Sequence, residues 1–511
     1  MIATPLEPAR FNLAQHLLDG HVARGHGDDL AILTLNGEYS YANLLALTRR
    51  AAALLKRTGV DRGDRVLIAL DDGVDFVTAL LGSLRMGGVA TMANPALPRE
   101  ELRALAAFVG ARVVVAGAGF ATAGDAWTTF CDHEGDDLAG SWSRALADAP
   151  AGGEAAATAA DAPAMWLFSS GSTGRPKAAV HSHRALAAHI DCYARPILDM
   201  GPRDRVLCVP RLHFPYATGL GLFFPFAVGA ATVLTPGRPT AEDLAGLIDR
   251  FAPTILTTVP TMTAKLLALA DARPGWRPSS LRLAISAGEA LPAAMHTRFS
   301  DRFGIPMLDG IGSAELFHIY VSNRADDARP GCVGTPVPGY EVRIVREDGQ
   351  VAAPGETGVL WVRGPTVASG YHGDPERTAA TFRDGWVVTG DMFSADADGY
   401  LYFHGRADDL LKVAGLYVSP LEVEAVLAEH DAVAECAVTG FKDPQGLVKP
   451  RAFVVLRDRQ RAGERLFDDL GQHCRARLLG YKVPRAFVVV DALPRNDRGK
   501  LMRKALRDSS Q

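Results

Sequence analysis

The sequence predicts an α/β protein: a large N-terminal domain of two α/β lobes plus a β-rich subdomain, then a small mobile α+β C-terminal domain. Three observations predict it. Up to about residue 330, short apolar strand patterns alternate with Ala/Leu-rich helical patterns, which implies mostly parallel sheet with helices on its faces. After Gly331, short strands are separated by Gly/Pro turns. From Asp408 onward a β–α–β pattern returns over roughly 100 residues, enough for a separate domain. The expected domains are 1–407, with sub-parts of about 1–160, 161–330 and 331–407, and 408–511. A chain of 511 residues is too long for a single core.

Taken in order, Tyr41–Arg57 has helical spacing, Arg65–Leu70 reads as a buried strand, and Asp75–Arg85 as the following helix. Val89–Met92 and Ala111–Val115 are further strands. Ala147–Ala164 is nearly all small or polar residues and reads as a linker. Strands then follow at Met165–Phe168, Ala178–His183, Arg205–Val209, Ala231–Leu234, Ile255–Val259, Leu283–Ala287 and Met307–Asp309, with a helix at Thr261–Ala270. The β-rich stretch carries Tyr340–Val345, Gly358–Val362, Gly385–Val388 and Gly399–His404. The last domain reads as helix Pro420–Glu429, strands Ala432–Thr439 and Arg451–Leu456, helix Arg465–Leu478 and strand Arg485–Val490.

Composition is that of an ordinary globular chain, 48% apolar and 22% charged. A net charge of −4 gives no reason to expect nucleic acid or an anionic membrane surface as partner. Six cysteines are scattered without a C-x-x-C pair, which suggests neither a zinc site nor a disulfide framework and makes a cytoplasmic address the default. The N-terminus lacks a signal-peptide pattern, and the apolar stretch Leu220–Val233 is broken by Pro225 and Gly229.

Chemistry concentrates first in Ser169-Ser170-Gly171-Ser172-Thr173-Gly174-Arg175-Pro176-Lys177, where four hydroxyls, two glycines and two cations fall within nine residues. Glycine lets backbone N–H groups approach an anion, hydroxyls donate, and Lys and Arg supply charge. The spacing is not that of a Walker A loop, because Pro176 stands where a second Gly is required and Ala178 follows Lys177. Lying between two apolar strands, the run reads as a strand–loop–strand polyphosphate clamp rather than a polar linker.

Five further segments are weak singly. Asp309–Glu315 offers two glycines and a carboxylate after a strand, and Leu283–Leu291 is a strand ending in a Gly turn whose edge suits a flat ring. Gly385–Asp391 places Asp391 just after a strand, where a carboxylate can bind vicinal hydroxyls or simply close a turn. Gly405–Lys412 is a charged, Gly-flanked boundary where a hinge is expected. Pro494–Lys500 puts Lys500 on a basic turn, suited to meeting an oxyanion that appears only during reaction.

In this order and spacing, the motifs resemble the adenylate-forming superfamily of acyl-CoA synthetases, adenylation domains and luciferases, from about residue 10 to 507. The phosphate loop, Thr389-Gly390-Asp391, the stretch from Gly405 through Glu424, and Pro494–Lys500 carry the resemblance. It implies that a carboxylate joins ATP with release of pyrophosphate, and that the acyl group of the adenylate then passes to a thiol. It implies that Ser169, Ser170, Gly171, Ser172, Thr173, Gly174 and Lys177 hold the β- and γ-phosphates. Glu315 matches a Mg²⁺-organising Glu; Gly288, Glu289 and Asp309 lie in segments lining adenine; Asp391 and Arg406 match ribose ligands. Lys500 matches the Lys that contacts carboxylate and α-phosphate, Asp408 the hinge, and Gly415 the pantetheine tunnel.

The run Val209–Phe214 resembles an aromatic gate with His213 at its centre. Ala217–Gly221 and Gly312–Ile319 are most similar to benzoate–CoA ligases, which implies a small flat pocket walled by Ala217, Gly312, His318 and Ile319. Thr218 departs from the Tyr usual there; a smaller residue with a hydroxyl widens the pocket and offers a hydrogen bond. His318 reads either as pocket wall or as a packed core residue. A substituted benzoate is the expected acid, 2-aminobenzoate (anthranilate) first and benzoate second. The implied partners are a small aromatic acid, ATP, Mg²⁺ and coenzyme A, in a monomer or homodimer. A stand-alone adenylation enzyme loading a carrier protein, and an inactive protein of the same fold, are the alternatives.

Overall fold

The computed structural model describes residues 10–117, 120, 126–131, 141–170, 176–413, 416–459, 462–495 and 501–508, with the side chains of Ser169, Ser170, Tyr417 and Asp508 outside the description. Of the expected site residues, Gly171, Ser172, Thr173, Gly174, Gly415 and Lys500 therefore lie outside the described residues. The chain divides into two compact units: one up to Val342 together with Val362–Val387, the other Arg343–Trp361 with Val388–Gln511.

The first unit is built on two sheets. One has six strands in the order Thr128–Cys131, Ala111–Ala116, Arg65–Ala69, Val89–Met92, Pro163–Ser170, Pro176–Ser182. All its neighbours are parallel except the last pair, which is antiparallel. That pair registers Ser169 opposite Lys177, so the phosphate-loop run is flanked by two strands of one hairpin, as its apolar borders predicted.

The other sheet has nine strands. Its centre is parallel: Leu30–Thr34, Ala231–Val233, Arg205–Cys208, Ile255–Thr258, Leu283–Ala287 and Met307–Gly312 lie side by side. Gly37–Ser40 closes one edge, and Ile319–Ser322 with Thr335–Pro336 the other, all antiparallel. Sheet membership is interleaved along the chain. Leu30–Thr34 pairs with Ala231–Val233, about 200 residues later, and Pro163–Ser170 returns to the sheet of Val89–Met92.

The helices follow from local chemistry. Helix Ala241–Phe251 starts at a capping box in which Thr240 and Asp243 satisfy each other's backbone N–H. Its buried face is Leu244, Ala245, Leu247, Ile248 and Phe251; each large apolar side chain buried this way contributes about 1.5–3 kcal/mol, as an upper estimate. The Ala147–Ala164 stretch, expected as a linker, is not a loose one. Buried Arg85 donates to the Gly153 carbonyl at 2.7 Å, Phe11 N–H donates to the Thr158 carbonyl at 2.9 Å, and Ala160 is fully enclosed. Small side chains let main chain pack closely, so the same composition serves a packed connection.

Strands Glu341–Val345, Gly358–Arg363 and Trp386–Ala395 pass from one unit to the other. In the second unit, the later part of Trp386–Ala395 pairs antiparallel with Leu401–Arg406. A three-stranded sheet follows: Val433–Lys442 antiparallel to Val448–Leu456, which is parallel to Ala486–Val489. Helices Pro420–Ala428 and Glu464–Arg475 supply Val423, Leu427, Leu466 and Leu470 to its own core. Among the described residues, no helix is long and apolar enough to cross a membrane.

Candidate active site

Ligands of parallel sheets sit beyond the carboxyl ends of the strands. In the first unit, Arg205–Cys208, Leu283–Ala287 and Met307–Gly312 all end at the same edge of the nine-stranded sheet, separated only by Ile255–Thr258. The segments that follow them carry His213, Gly288 with Glu289, and Glu315. The fold thus gathers residues more than 100 positions apart on one edge.

Glu315 lies in a short turn, Ala314–Leu316, directly after its strand. Lys177 Nζ stands 3.9 Å from Glu315 Oε1, with both side chains largely enclosed. The Tyr371 hydroxyl donates to the same oxygen at 2.6 Å, and the Lys177 ammonium lies 5.1 Å from the Tyr371 ring centroid. Burial, and then the neighbouring Glu315 charge, push the Tyr371 phenol far above its usual range, so it stays a donor.

Main chain builds this cluster. His372 N–H donates to the Ala178 carbonyl at 2.9 Å, Val180 N–H to the Gly370 carbonyl at 3.0 Å, and Ala368 N–H to the Glu315 carbonyl at 2.9 Å. The segment around Tyr371 is laid along the phosphate-loop hairpin and beside the Glu315 turn. Tyr371 was not singled out from sequence. It stands between two glycines, a pattern with nothing to distinguish it from an ordinary turn.

Gly288 adopts φ +89°, a conformation that favours glycine, at the exposed end of its strand. Asp309 is buried; its carboxyl accepts from Gly310 N–H at 3.0 Å, and burial holds its pKa well above the carboxylate range. At Gly312 a side chain is excluded, because a Cβ would lie 2.5 Å from the His318 carbonyl oxygen. Between Glu315 and His318 the chain makes a three-residue turn: Phe317 has φ +67° and ψ −53°, and His318 N–H donates to the Leu316 carbonyl at 2.8 Å. That strained form of the γ-turn costs a bulky residue about 1–3 kcal/mol and persists where surrounding structure enforces it.

His318 is buried, and its Nε2 lies 3.0 Å from the Tyr216 carbonyl. A carbonyl only accepts, so Nε2 carries the proton. Burial lowers the imidazole pKa to about 3, which keeps the ring neutral. Ile319 is buried in the next strand, and Ala217 and Thr218 are buried in the short helix Pro215–Thr218. The Thr218 hydroxyl donates to the Leu212 carbonyl at 2.6 Å, with the Phe214 carbonyl 3.0 Å away. Its proton is committed to main chain, so only oxygen lone pairs remain of the hydrogen bond expected there.

Tyr216, two residues earlier, was passed over in the sequence. Its hydroxyl donates to the Ile285 carbonyl at 3.0 Å, bringing a partly buried ring across the strand ends toward His318, 5.7 Å between ring centres. His213 is buried beside Phe214, ring centres 4.1 Å apart.

In the second unit, Asp391 and Arg406 face each other in register on adjacent antiparallel strands, with Arg406 Nη1 3.1 Å from Asp391 Oδ1. Thr389 Oγ1 donates to the Leu360 carbonyl at 2.8 Å and accepts from Asp391 N–H at 3.1 Å, which shapes the Thr-Gly-Asp turn; Gly390 takes φ +73°. Asp408 lies in the turn Ala407–Asp409, which leads into the two-stranded pair Leu411–Val413 and Leu416–Val418.

No group of three or more His, Cys, Asp or Glu side chains that could hold a metal unaided is found among the described residues. One carboxylate together with phosphate oxygens is a donor set that Mg²⁺ takes in nucleotide sites, and Glu315 beside the phosphate hairpin fits it.

A hairpin whose connecting sequence is rich in hydroxyls and glycine, with a Lys–Glu–Tyr cluster at its second strand, on a parallel-sheet unit followed by a smaller α+β unit, is the layout of an adenylate-forming enzyme. The chain belongs to the AMP-binding enzyme family: that family's model matches residues 20–372, and the model of the AMP-binding enzyme C-terminal domain matches residues 422–500. Among its relatives is the benzoate–CoA ligase of Thauera aromatica, 40% identical over 514 residues, covering 98% of this chain and 97% of that one. Among solved structures, the anthranilate CoA ligase AuaEII in complex with anthranoyl-AMP is 34% identical with a TM-score of 0.92, covering 100% of this chain and 99% of that one. A benzoate CoA ligase from Burkholderia xenovorans LB400 is 36% identical with a TM-score of 0.88, covering 97% and 100%.

Proposed function

We propose that the protein is an ATP-dependent aryl-acid–CoA ligase acting on a substituted benzoate, with 2-aminobenzoate (anthranilate) the first candidate and benzoate the second. The observation that carries the proposal is that His318 meets the Tyr216 carbonyl and packs against Gly312, three residues beyond Glu315 of the Lys177–Glu315–Tyr371 cluster; with Ala217 and Ile319 we take these residues as the wall of the acid pocket. Apolar and aromatic walls with few polar groups suit a small flat ring. The relatives that act on benzoate and anthranilate support the class of acid and favour CoA over a carrier protein as acceptor.

In the first step a carboxylate oxygen bonds to the α-phosphorus of ATP, and the bond to the bridging oxygen breaks to release pyrophosphate. Lys177 offsets phosphate charge, and Glu315, held by Tyr371, is placed to orient Mg²⁺, which when bound neutralises the leaving phosphates. Asp391 accepts from ribose hydroxyls, while Arg406 holds that carboxylate in place. Lys500 neutralises charge developing between carboxylate and α-phosphate. In the second step the CoA thiolate attacks the acyl carbon and AMP leaves. Residues 408–511 turn about Asp408 between the steps, withdrawing Lys500 and bringing Gly415 to the pantetheine arm. Free, scattered cysteines support a cytoplasmic address.

Thioester formation with free CoA, measured across benzoate, 2-aminobenzoate, 2-hydroxybenzoate and 4-hydroxybenzoate, tests the proposal. Turnover of at least one of these acids is expected. A clear preference for medium-chain fatty acids, or acylation of a carrier protein with none of CoA, overturns it.

A further inference from the structure

His189 ends helix His183–His189 in the first unit and is fully buried. Its Nδ1 lies 2.8 Å from the Tyr340 hydroxyl, which lies 2.6 Å from Thr366 Oγ1, which donates to the Leu316 carbonyl at 2.6 Å. This chain has one self-consistent direction. The single Thr366 proton goes to the carbonyl, so Tyr340 must donate to Thr366, and His189 must donate from Nδ1 to Tyr340. His189 Nε2 is then a bare lone pair, and burial holds the ring neutral.

His318 is the mirror case. Its Nε2 proton is on the Tyr216 carbonyl, so its Nδ1 is the lone pair. Among the described residues, neither His189 Nε2 nor His318 Nδ1 has a hydrogen-bond partner. The two rings are 4.9 Å apart, centre to centre, with Phe224 close to both.

The hydroxyl protons of Tyr193, Tyr216 and Thr218 are committed elsewhere. Tyr193 faces Ser322, whose own proton goes to the Asn323 carbonyl; Tyr216 donates to Ile285 and Thr218 to Leu212. A buried acceptor left without a donor is destabilising, and two lie side by side here.

Backbone irregularity converges on the same spot. The π-helical turn Ile190–Ala194 begins immediately after His189. A second, Gly219–Phe223, brings Gly219 so near His318 that a Cβ would lie 2.5 Å from its Cδ2. Single π-helical turns are rare and concentrate at functional sites. The strained Phe317 turn adjoins His318 as well.

We propose that His189, with His318, forms an acceptor-only floor of the acid pocket, and that this floor takes a ring substituent bearing a hydrogen-bond donor, N–H or O–H. The inference rests on the aryl-acid reading above and narrows it to amino- or hydroxybenzoates over benzoate itself. An internal water is the other source of the same donor chemistry, and the test separates the two.

Pyrophosphate exchange by the full chain is measured as kcat/KM for benzoate, 2-aminobenzoate, 3-hydroxybenzoate and 4-hydroxybenzoate. The best donor-bearing acid is expected to exceed benzoate by about tenfold or more, the scale of one buried hydrogen bond. In His189→Leu that ratio is expected to fall toward unity. Tyr340→Phe preserves volume and frees the His189 proton to move to Nε2, turning the acceptor into a donor, and its ratio should fall as well. The proposal is overturned if benzoate equals or exceeds the other acids in the parent, the result a resident water gives. It is equally overturned if the preference survives both variants. Exchange with none of the four acids removes the aryl-acid reading along with it.

Discussion

The Tyr371 hydroxyl donates to Glu315 at 2.6 Å, on the same carboxylate oxygen that Lys177 approaches to 3.9 Å. The three residues come from separate parts of the chain: the phosphate hairpin, the turn after strand Met307–Gly312, and the segment hydrogen-bonded along that hairpin. Tyr371 gives Glu315 a fixed direction while Lys177 balances its charge. A carboxylate held in this way is ready to meet a cation without reorganising.

Removing the phenol hydroxyl tests that role. Tyr371→Phe keeps the ring beneath Lys177 and deletes only the donor. A hydrogen bond to a charged group contributes about 1.5–3 kcal/mol, so the rate of pyrophosphate exchange should fall about tenfold or more. The Mg²⁺ concentration giving half-maximal exchange should rise with it. An unchanged Mg²⁺ titration would show that Tyr371 only packs.

Asp391 and Arg406 form an ion pair in which Asp391 is 8% exposed and Arg406 56%. A pair this open adds less than about 1 kcal/mol to stability. Asp391→Asn should therefore leave the thermal midpoint within about 2 °C of the parent. On the ribose-binding role proposed for Asp391, its KM for ATP should rise about tenfold or more through the loss of a charged acceptor. A large drop in the midpoint with KM unmoved would make the pair structural.

By the function proposed above, Lys500 serves adenylation alone. In Lys500→Ala, formation of the adenylate from acid and ATP should fall by at least about a hundredfold, the scale of one preorganised charge. Transfer of the acyl group from pre-formed acyl-AMP to CoA should stay close to parental. Adenylate formation at the parental rate, followed by rapid quench, would remove Lys500 from the reaction. Acylation of this lysine would silence the first step by the same loss of charge.

Much of this architecture is legible in the chain. The parallel strands from Arg65 to Met307 announce themselves as short apolar runs between helical patterns, and the phosphate loop by the density of Ser, Thr and Gly between two of them. What escapes is whatever long-range packing creates. Tyr371 reaches Glu315 because the backbone of its neighbours His372 and Gly370 bonds to Ala178 and Val180, some 190 residues earlier, and no local pattern encodes that. His189 looks like one more residue of a helix end. Its lone pair is exposed as an orphan only when Tyr340, Thr366 and Leu316 are traced together. Thr218 was legible as a hydroxyl but not as one already spent on the Leu212 carbonyl.

Buried neutral imidazoles make stability depend on pH in a direction that can be stated in advance. His183 accepts from Leu13 N–H through Nδ1 at 3.2 Å, and burial lowers its pKa to about 4. Burial likewise lowers His181 to about 4 and His318 to about 3. An unfolded histidine titrates near 6.5, so between about 6.5 and 4 the unfolded chain binds more protons than the folded one. Stability from these groups is fully present above 6.5 and is lost as pH falls through that window, at up to about 1.4 kcal/mol per pH unit for each. Asp72, raised to about 7 by burial, and Asp309, raised by burial, act in the opposite sense, losing stability as pH rises through their folded pKa. The parent's slope is the sum of both kinds, so the informative quantity is a difference. In His183→Gln the amide oxygen can still accept from Leu13, but nothing titrates. The thermal midpoint of the parent should fall more steeply between pH 6.5 and 4.5 than that of His183→Gln. Parallel curves would mean that His183 is charged, or exposed, in the folded protein.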